Sequence, residues 1–270
     1  MATEETMDSS EIKHLQQEVE ALKERIEADI QPQENEELIE VNPTCQEIEQ
    51  GGVKSSDNIK RYKKDINKNL TMNSKDRVNL LEKLKGKINS IKNCELKKSA
   101  TNLVFSDGNP FAKIMIIGEG PGANEDKEGK PFVGRAGKLL DKMLEAIKLN
   151  RKNVYISNVV NFRPPMNRRP TDEEIKRYLP FLVRHIELIN PKILLLLGST
   201  ALNALVGNEV VISKARGKWV NKKIGSANPE IIASFHPAFL MRQPDQKKYA
   251  WEDLKMIRKK MSELKIKLND

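Results

Sequence analysis

From residue 112 onward, short runs of consecutive apolar residues alternate with stretches of helical period, and this alternation restricts the fold more than anything else in the chain. The apolar runs are AKIMIIGE, VYISNVV, KILLLLG and EIIASFH. Between and after them lie GRAGKLLDKMLEAIKL, TDEEIKRYLPFLVRHIELI, STALNALVG and YAWEDLKMIRKKMSEL. None of the runs has a polar face. A strand without a polar face is buried on both sides, which predicts a parallel sheet covered by helices above and below. In such α/β sheets ligands gather at the carboxyl ends of the strands. The segments to read for chemistry are therefore those after Ile117, Val160, Leu197 and Phe235.

The residues upstream divide in two. In the first stretch Ile12, Leu15, Val19, Leu22, Ile26 and Ile30 recur every three or four positions, with Asp8 and Glu11 placed as a capping pair. This predicts a short amphipathic helix that docks on the body, dimerises, stays free or holds a protein partner. Residues 31–57 are acidic, punctuated by Gly, Pro and Ser and poor in aromatics, which reads as a disordered linker. Residues 58–93 are a basic helical segment; Ser74 is a candidate cap, with Val78, Leu81, Leu84 and Ile88 as an apolar stripe. The expected organisation is an acidic extension over 1–57, this basic segment over 58–93, and one folded domain over 94–270.

Charge follows the same division. The net charge of +9 is the sum of −12 on residues 1–57, which carry 16 Asp/Glu and 4 Lys/Arg, and +21 on the remainder. Such a surplus suits a phosphate-backbone partner, although lysine-rich surfaces also serve solubility alone. No stretch reaches the ~18 apolar residues of a membrane span, and the N-terminus lacks an apolar signal core. Two cysteines, Cys45 and Cys94, make no disulfide framework. The expectation is a soluble cytoplasmic protein.

The first segment at a strand end is GEGPGANEDKEGKPFVGRAGKLL. Its glycines permit unusual backbone angles and close approach of a ligand. It is no phosphate loop, because no Gly-Lys-Ser/Thr closes it, and it lacks the Gly-x-Gly-x-x-Gly of dinucleotide binders. Glu119 stands at the strand end, with Glu125 and Asp126 following. Phe132, in a PFVG turn, is either a stacking platform for a planar ligand or a core plug. Ahead of the second segment, NFRPPMNRRPTDEE, Asn158 stands within the run VYISNVV, where it carries a donor and an acceptor among apolar neighbours and needs partners. Arg163, Arg168 and Arg169 around prolines make a stiff basic loop suited to phosphates, and Asn167 adds a polar contact. In the last, SFHPAFLMRQPDQKK, His236 stands at a strand end before Pro237, as a structural or a catalytic group.

Taken in order, GEGPGANED, GKPFVGRAG, YISNVV, RPPMNRRP, LLLLG and HPAFL resemble the motifs of the uracil-DNA glycosylase superfamily, specifically its family four, over residues from about 94 to 258. The resemblance implies a three-layer α/β/α fold with a central four-stranded parallel sheet. It implies hydrolysis of the N-glycosidic bond of deoxyuridine in DNA to release uracil, in base excision repair, by a monomer. Phe132 would stack on the extruded uracil and Asn158 would read its N3–H and O4 edge. Gly120 and Asn167 would complete the base pocket, and His236 would bond O2. Glu119 or Glu125 would steady the sugar cation or orient water, since Gly120 stands where other families carry an aspartate. Arg163 and Arg168 would contact DNA, with Leu240 entering the minor groove and Arg242 holding the opened helix.

The chain also departs from that family, whose members usually carry a four-cysteine iron–sulfur cluster. Only Cys94 remains of the ligand set; Ile91, Phe162 and Tyr178 stand at the other positions. The expectation is no cluster, metal or other cofactor, with these side chains filling the space as an apolar plug. Ala100 and Asn161 stand where the family tends to be basic. The chain lacks the histidine-bearing insertion of the branch that traps its DNA covalently, so ordinary turnover is expected. Two rival functions fit the same residues: a catalytically weak DNA-binding repair scaffold, and an interaction protein whose acidic helix recruits a replication partner.

Overall fold

A computed structural model describes residues 74–207 and 210–267. The amphipathic helix, the acidic linker and the first part of the basic segment lie outside the described residues. The chain enters as α1 (Ser74–Asn89) and α2 (Glu95–Ser99), followed by β1 (Asp107–Gly108), β2 (Ile114–Gly118), α3 (Ala123–Glu128), α4 (Arg135–Glu145) and β3 (Tyr155–Asn158). It continues through α5 (Asp172–Ile189), β4 (Ile193–Leu197), α6 (Ser199–Leu205), α7 (Ile212–Ala215), β5 (Trp219–Asn221), β6 (Glu230–Ser234), α8 (Pro237–Arg242) and α9 (Lys247–Glu263).

The apolar runs form the centre of the sheet. Strands β3, β2, β4 and β6 lie side by side in that order and all run parallel. Two short antiparallel strands, β1 on β3 and β5 on β6, extend the sheet to six. Neither edge strand has an apolar run, so neither was visible in the sequence pattern. Alternate residues of the strands serve opposite faces. Met115, Ile117, Leu194 and Leu196 pack with Leu84, Leu182 and Leu202 of α1, α5 and α6. Ile114, Ile116, Leu195 and Ile232 pack with Leu140, Leu144, Leu254 and Ile257 of α4 and α9. Each such side chain contributes roughly 1.5–3 kcal/mol on burial.

Helix boundaries follow local chemistry. Thr171 caps α5: its hydroxyl accepts from the Glu174 amide at 3.2 Å, and the Glu174 carboxylate accepts from the Thr171 amide at 2.8 Å. In α1, Leu81, Leu84 and Ile88 are buried against α5, but Val78 is exposed, beside Phe111 in a shallow surface depression, and does not join the stripe expected of it. Among the described residues no helix is long and apolar enough to cross a membrane.

The strand order places the site. From β2 the chain crosses to β3 on one side, then returns past β2 to β4 on the other. The crevice between the carboxyl ends of β2 and β4 is therefore the point where the connections diverge, where open α/β sheets bind ligands.

Candidate active site

A cavity of about 180 Å³ opens at this edge of the sheet. Glu119, Gly120 and Glu125 line it from the segment after β2, Asn158 from the end of β3, and His236 from the segment after β6. Phe132, Asn167 and Arg168 complete the predicted residues that reach it. A larger cavity of about 490 Å³ adjoins it, sharing Glu119, Gly120, Asn167 and His236 and running on to Phe239 and Arg242.

Phe132 is both a core residue and part of the cavity wall. Its ring is buried within the α4–α9 core cluster and still lines the smaller cavity, 5.6 Å from the His236 ring centroid to centroid. Its backbone adopts φ 54°, a left-handed conformation that costs an L-residue roughly 1–2 kcal/mol. Arg151 holds it there by donating to the carbonyls of Phe132 and Pro131, while pairing with Asp107 and Asp141 at 2.7 and 2.8 Å. Gly137 makes the turn possible, because a Cβ there would overlap the Phe132 carbonyl. Across the cavity floor, a Cβ on Gly118 would fall 2.5 Å from both the Phe132 ring and the Asn158 carboxamide oxygen. The close approach of β2 to both groups depends on that glycine.

Asn158 is 3% exposed, and no hydrogen bond among the described residues engages its carboxamide. Its polar atoms open to the cavity, where water or a ligand satisfies them. His236 sits at the N-terminus of α8, where its Nδ1 accepts from the Ala238 amide at 3.2 Å. Burial, reinforced by the Arg242 charge and opposed by Glu125, pushes the imidazole down to about 4. At neutral pH the ring is uncharged, and an imidazole that accepts at Nδ1 carries its proton on Nε2.

The two glutamates are placed differently. Glu125 accepts three backbone N–H bonds: from Val133 and Gly134 at 3.0 and 2.8 Å on one oxygen, and from Gly122 at 3.1 Å on the other. It ties the two halves of the glycine-rich segment together. Among the described residues Glu119 is held by one hydrogen bond, from the Thr200 hydroxyl at 2.5 Å to Oε2. That bond spans the crevice between β2 and β4. Neither Arg151 nor Thr200 was singled out from the sequence. Thr200 lies in the segment after Leu197, already marked as a strand-end loop, whereas Arg151 carries no local signal.

The basic loop is internally tied. Arg163 donates from Nε to the Asn167 side-chain oxygen at 2.8 Å, and Arg168 forks the Glu174 carboxylate at 2.6 and 2.8 Å. Arg163 does not line the smaller cavity; Arg242 is exposed at the edge of the larger one. Leu240 requires a correction. It is 1% exposed and packed in the α4–α9 cluster, so the side chain expected to enter a minor groove is part of the core. Asn161 is likewise buried, donating to the Val104 carbonyl at 3.0 Å, and offers nothing to a phosphate.

At the four positions that the resemblance equates with cluster ligands, Cys94 Sγ lies 3.4 Å from the Tyr178 hydroxyl. Cys94, Phe162 and Tyr178 are buried in one apolar cluster, with Ile91 packed against it. Asp126, next to Glu125 in the sequence, accepts from the Thr101 and Asn102 amides at 2.9 and 3.0 Å and is buried away from the cavity.

A family model described as the uracil DNA glycosylase superfamily matches residues 105–255. A type-4 uracil-DNA glycosylase of Sulfurisphaera tokodaii is 43% identical over 183 residues, 66% of this chain and 83% of that protein. The type-4 uracil-DNA glycosylase of Thermotoga maritima is 43% identical over 62% of this chain and 85% of its own. That of Archaeoglobus fulgidus is 39% identical over 66% of this chain and 91% of its own.

Proposed function

The chain belongs to the uracil DNA glycosylase superfamily, and we propose on that premise that it hydrolyses the N-glycosidic bond of deoxyuridine in DNA and releases uracil. The observation that carries the proposal is Asn158: a carboxamide on a residue only 3% exposed, with no hydrogen bond among the described residues, facing a cavity it shares with an aromatic ring and a neutral imidazole. A carboxamide oxygen accepts from N3–H and its nitrogen donates to O4; thymine differs only by the C5 methyl, which a small cavity rejects by shape.

In this reading a nucleotide leaves the stack and its base lies against Phe132, with Asn158 on its N3–O4 edge and His236 Nε2–H on O2. The C1′–N1 bond breaks with its electron pair passing to the uracil ring. The His236 donor stabilises the negative charge on O2, and the carboxylates stabilise the positive sugar. Water then adds to C1′ and gives up a proton to Glu119, whose Oε1 is not engaged by any described residue. The products are a C1′ hydroxyl at an abasic site and uracil, which regains a proton at N1. Glu125 acts through its fixed charge and by holding the loop. Arg163 and Arg242 contact phosphates, whereas Arg168 supports the loop through Glu174. A monomer acting in the cytoplasm completes the proposal, with any protein partner held by residues 1–57.

The chain carries two cysteines, Cys45 and Cys94. A four-iron cluster held by four thiolates does not fit that donor set. We propose that Ile91, Phe162 and Tyr178 occupy the corresponding space as packing. Anaerobically purified protein is expected to hold no iron or acid-labile sulfide; stoichiometric amounts of both would reverse this.

The activity is tested by incubating the protein with an oligonucleotide containing one deoxyuridine and cleaving abasic sites with alkali, beside thymidine and deoxycytidine controls. Strand breakage at the deoxyuridine alone is expected, and an intact strand would contradict the proposal. Gly118→Ala is expected to reduce this cleavage about tenfold or more by displacing Phe132 and Asn158, and to destabilise the fold by about 1–3 kcal/mol. Rates and thermal melts measured side by side check it.

A further inference from the structure

We propose that Met166, and not Leu240, enters the base stack of duplex DNA when a nucleotide is drawn into the cavity. This rests on the uracil-excising reading and assigns a residue which that reading leaves unused. Extruding a nucleotide leaves a gap between its neighbours, and proteins that distort DNA fill such gaps with apolar side chains. Leu240 is buried in the core and is not presented to DNA.

Among the described residues, most exposed large apolar side chains lie away from the site. Val78 and Phe111 share a separate depression, and Tyr249 and Trp251 lie on α9. Met166 is 92% exposed on the short turn Pro165–Asn167. Its neighbours are Asn167, which lines both cavities, and Arg168, which lines the smaller one together with Pro164. A duplex delivering a base to this cavity must cover the rim on which Met166 stands.

The backbone strengthens the assignment. Met166 adopts φ 52°, ψ 24°, the left-handed region that disfavours a residue with a Cβ. Exposed as it is, the side chain gains nothing from burial in the free protein, so packing does not account for a strained methionine here. The turn is nonetheless built. The Asn167 amide donates to the Pro164 carbonyl at 3.0 Å and the Arg168 amide to the Pro165 carbonyl at 3.1 Å. Side-chain bonds from Arg163 to Asn167 and from Arg168 to Glu174 brace it further. A rigid turn presents an unbranched, polarisable side chain that conforms to either neighbouring base, with Arg163 and Arg169 beside it for the flanking phosphates. Val211, 55% exposed next to Ile212 of the larger cavity, is the competing candidate.

The test measures kcat/KM for one uracil in duplex and in single-stranded DNA of the same sequence. Met166→Gly removes the side chain and relaxes the backbone, so a folding defect is not expected. The duplex-to-single-strand ratio should fall about tenfold in Met166→Gly, a 1.4 kcal/mol effect, and stay near that of the unsubstituted protein in Met166→Leu. An unchanged ratio in Met166→Gly, or an equal fall in Val211→Ala, would overturn the assignment. Absence of release from either substrate by the unsubstituted protein would instead remove the uracil-excising reading, and this inference with it.

Discussion

Replacing His236 by alanine is expected to lower kcat for uracil release by about 10²–10³-fold with little change in KM, the loss typical of one donor aimed at developing negative charge. The geometry makes the donor specific. Nδ1 is occupied by the Ala238 amide, so the only N–H the neutral ring can offer the cavity is Nε2. Alanine also removes the cap of α8, a loss of about 1 kcal/mol in stability. His236→Asn separates the two effects, since it keeps a capping acceptor and loses the Nε2 donor; it should melt near the parent and remain nearly as slow as alanine.

The same ring sets a pH signature. It is held down to about 4, against about 6.5 for an ordinary histidine. Between those values the unfolded chain binds a proton at this site that the native protein does not. Stability therefore falls as pH drops through that window and is fully present above it. Activity governed by His236 stays level through pH 6.5 and declines only towards 4. An acidic limb centred near 6.5 that disappears in His236→Asn would show instead that a charged imidazole operates.

Replacing Asn158 carries the second large effect. Asn158→Ala removes both contacts to the N3–O4 edge, and a site built to hydrogen-bond such an edge loses several kcal/mol when the match fails, up to about 10⁴-fold in kcat/KM. Asn158→Asp is the more informative variant. A carboxylate accepts at both oxygens, so it still meets N3–H but repels O4, and it accepts from the exocyclic amine of cytosine. The uracil-to-cytosine preference should shrink in Asn158→Asp while it persists, at low rate, in His236→Asn. Equal loss of preference in both would mean that Asn158 does not read the base edge.

These residues were legible in the sequence because parallel strands deliver their carboxyl ends to one edge. Asn158 at the end of β3 and His236 after β6 needed only the apolar runs to place them. The central strands were legible for the same reason, whereas β1 and β5 are held by pairing to neighbours and have no pattern of their own. Side-chain direction was harder. Helix α8 has six residues, and which of them face inward depends on how it docks on α4, so Leu240 was expected outside and lies inside. The unequal placement of Glu119 and Glu125 depends on backbone amides of Gly122, Val133 and Gly134 converging on one carboxylate, a property of the folded loop. Thr200 and Glu119, 81 residues apart in sequence, meet only because β4 lies beside β2.

The most direct measurement is the identity and amount of free base released from DNA that carries one deoxyuridine, compared with the number of abasic sites formed. The expected result is uracil and abasic sites in equal amounts, over many turnovers, with release abolished or nearly so in Asn158→Ala. DNA bound tightly with no base released, by protein that melts cooperatively, would contradict the account and mark the chain as a repair scaffold on a glycosylase fold.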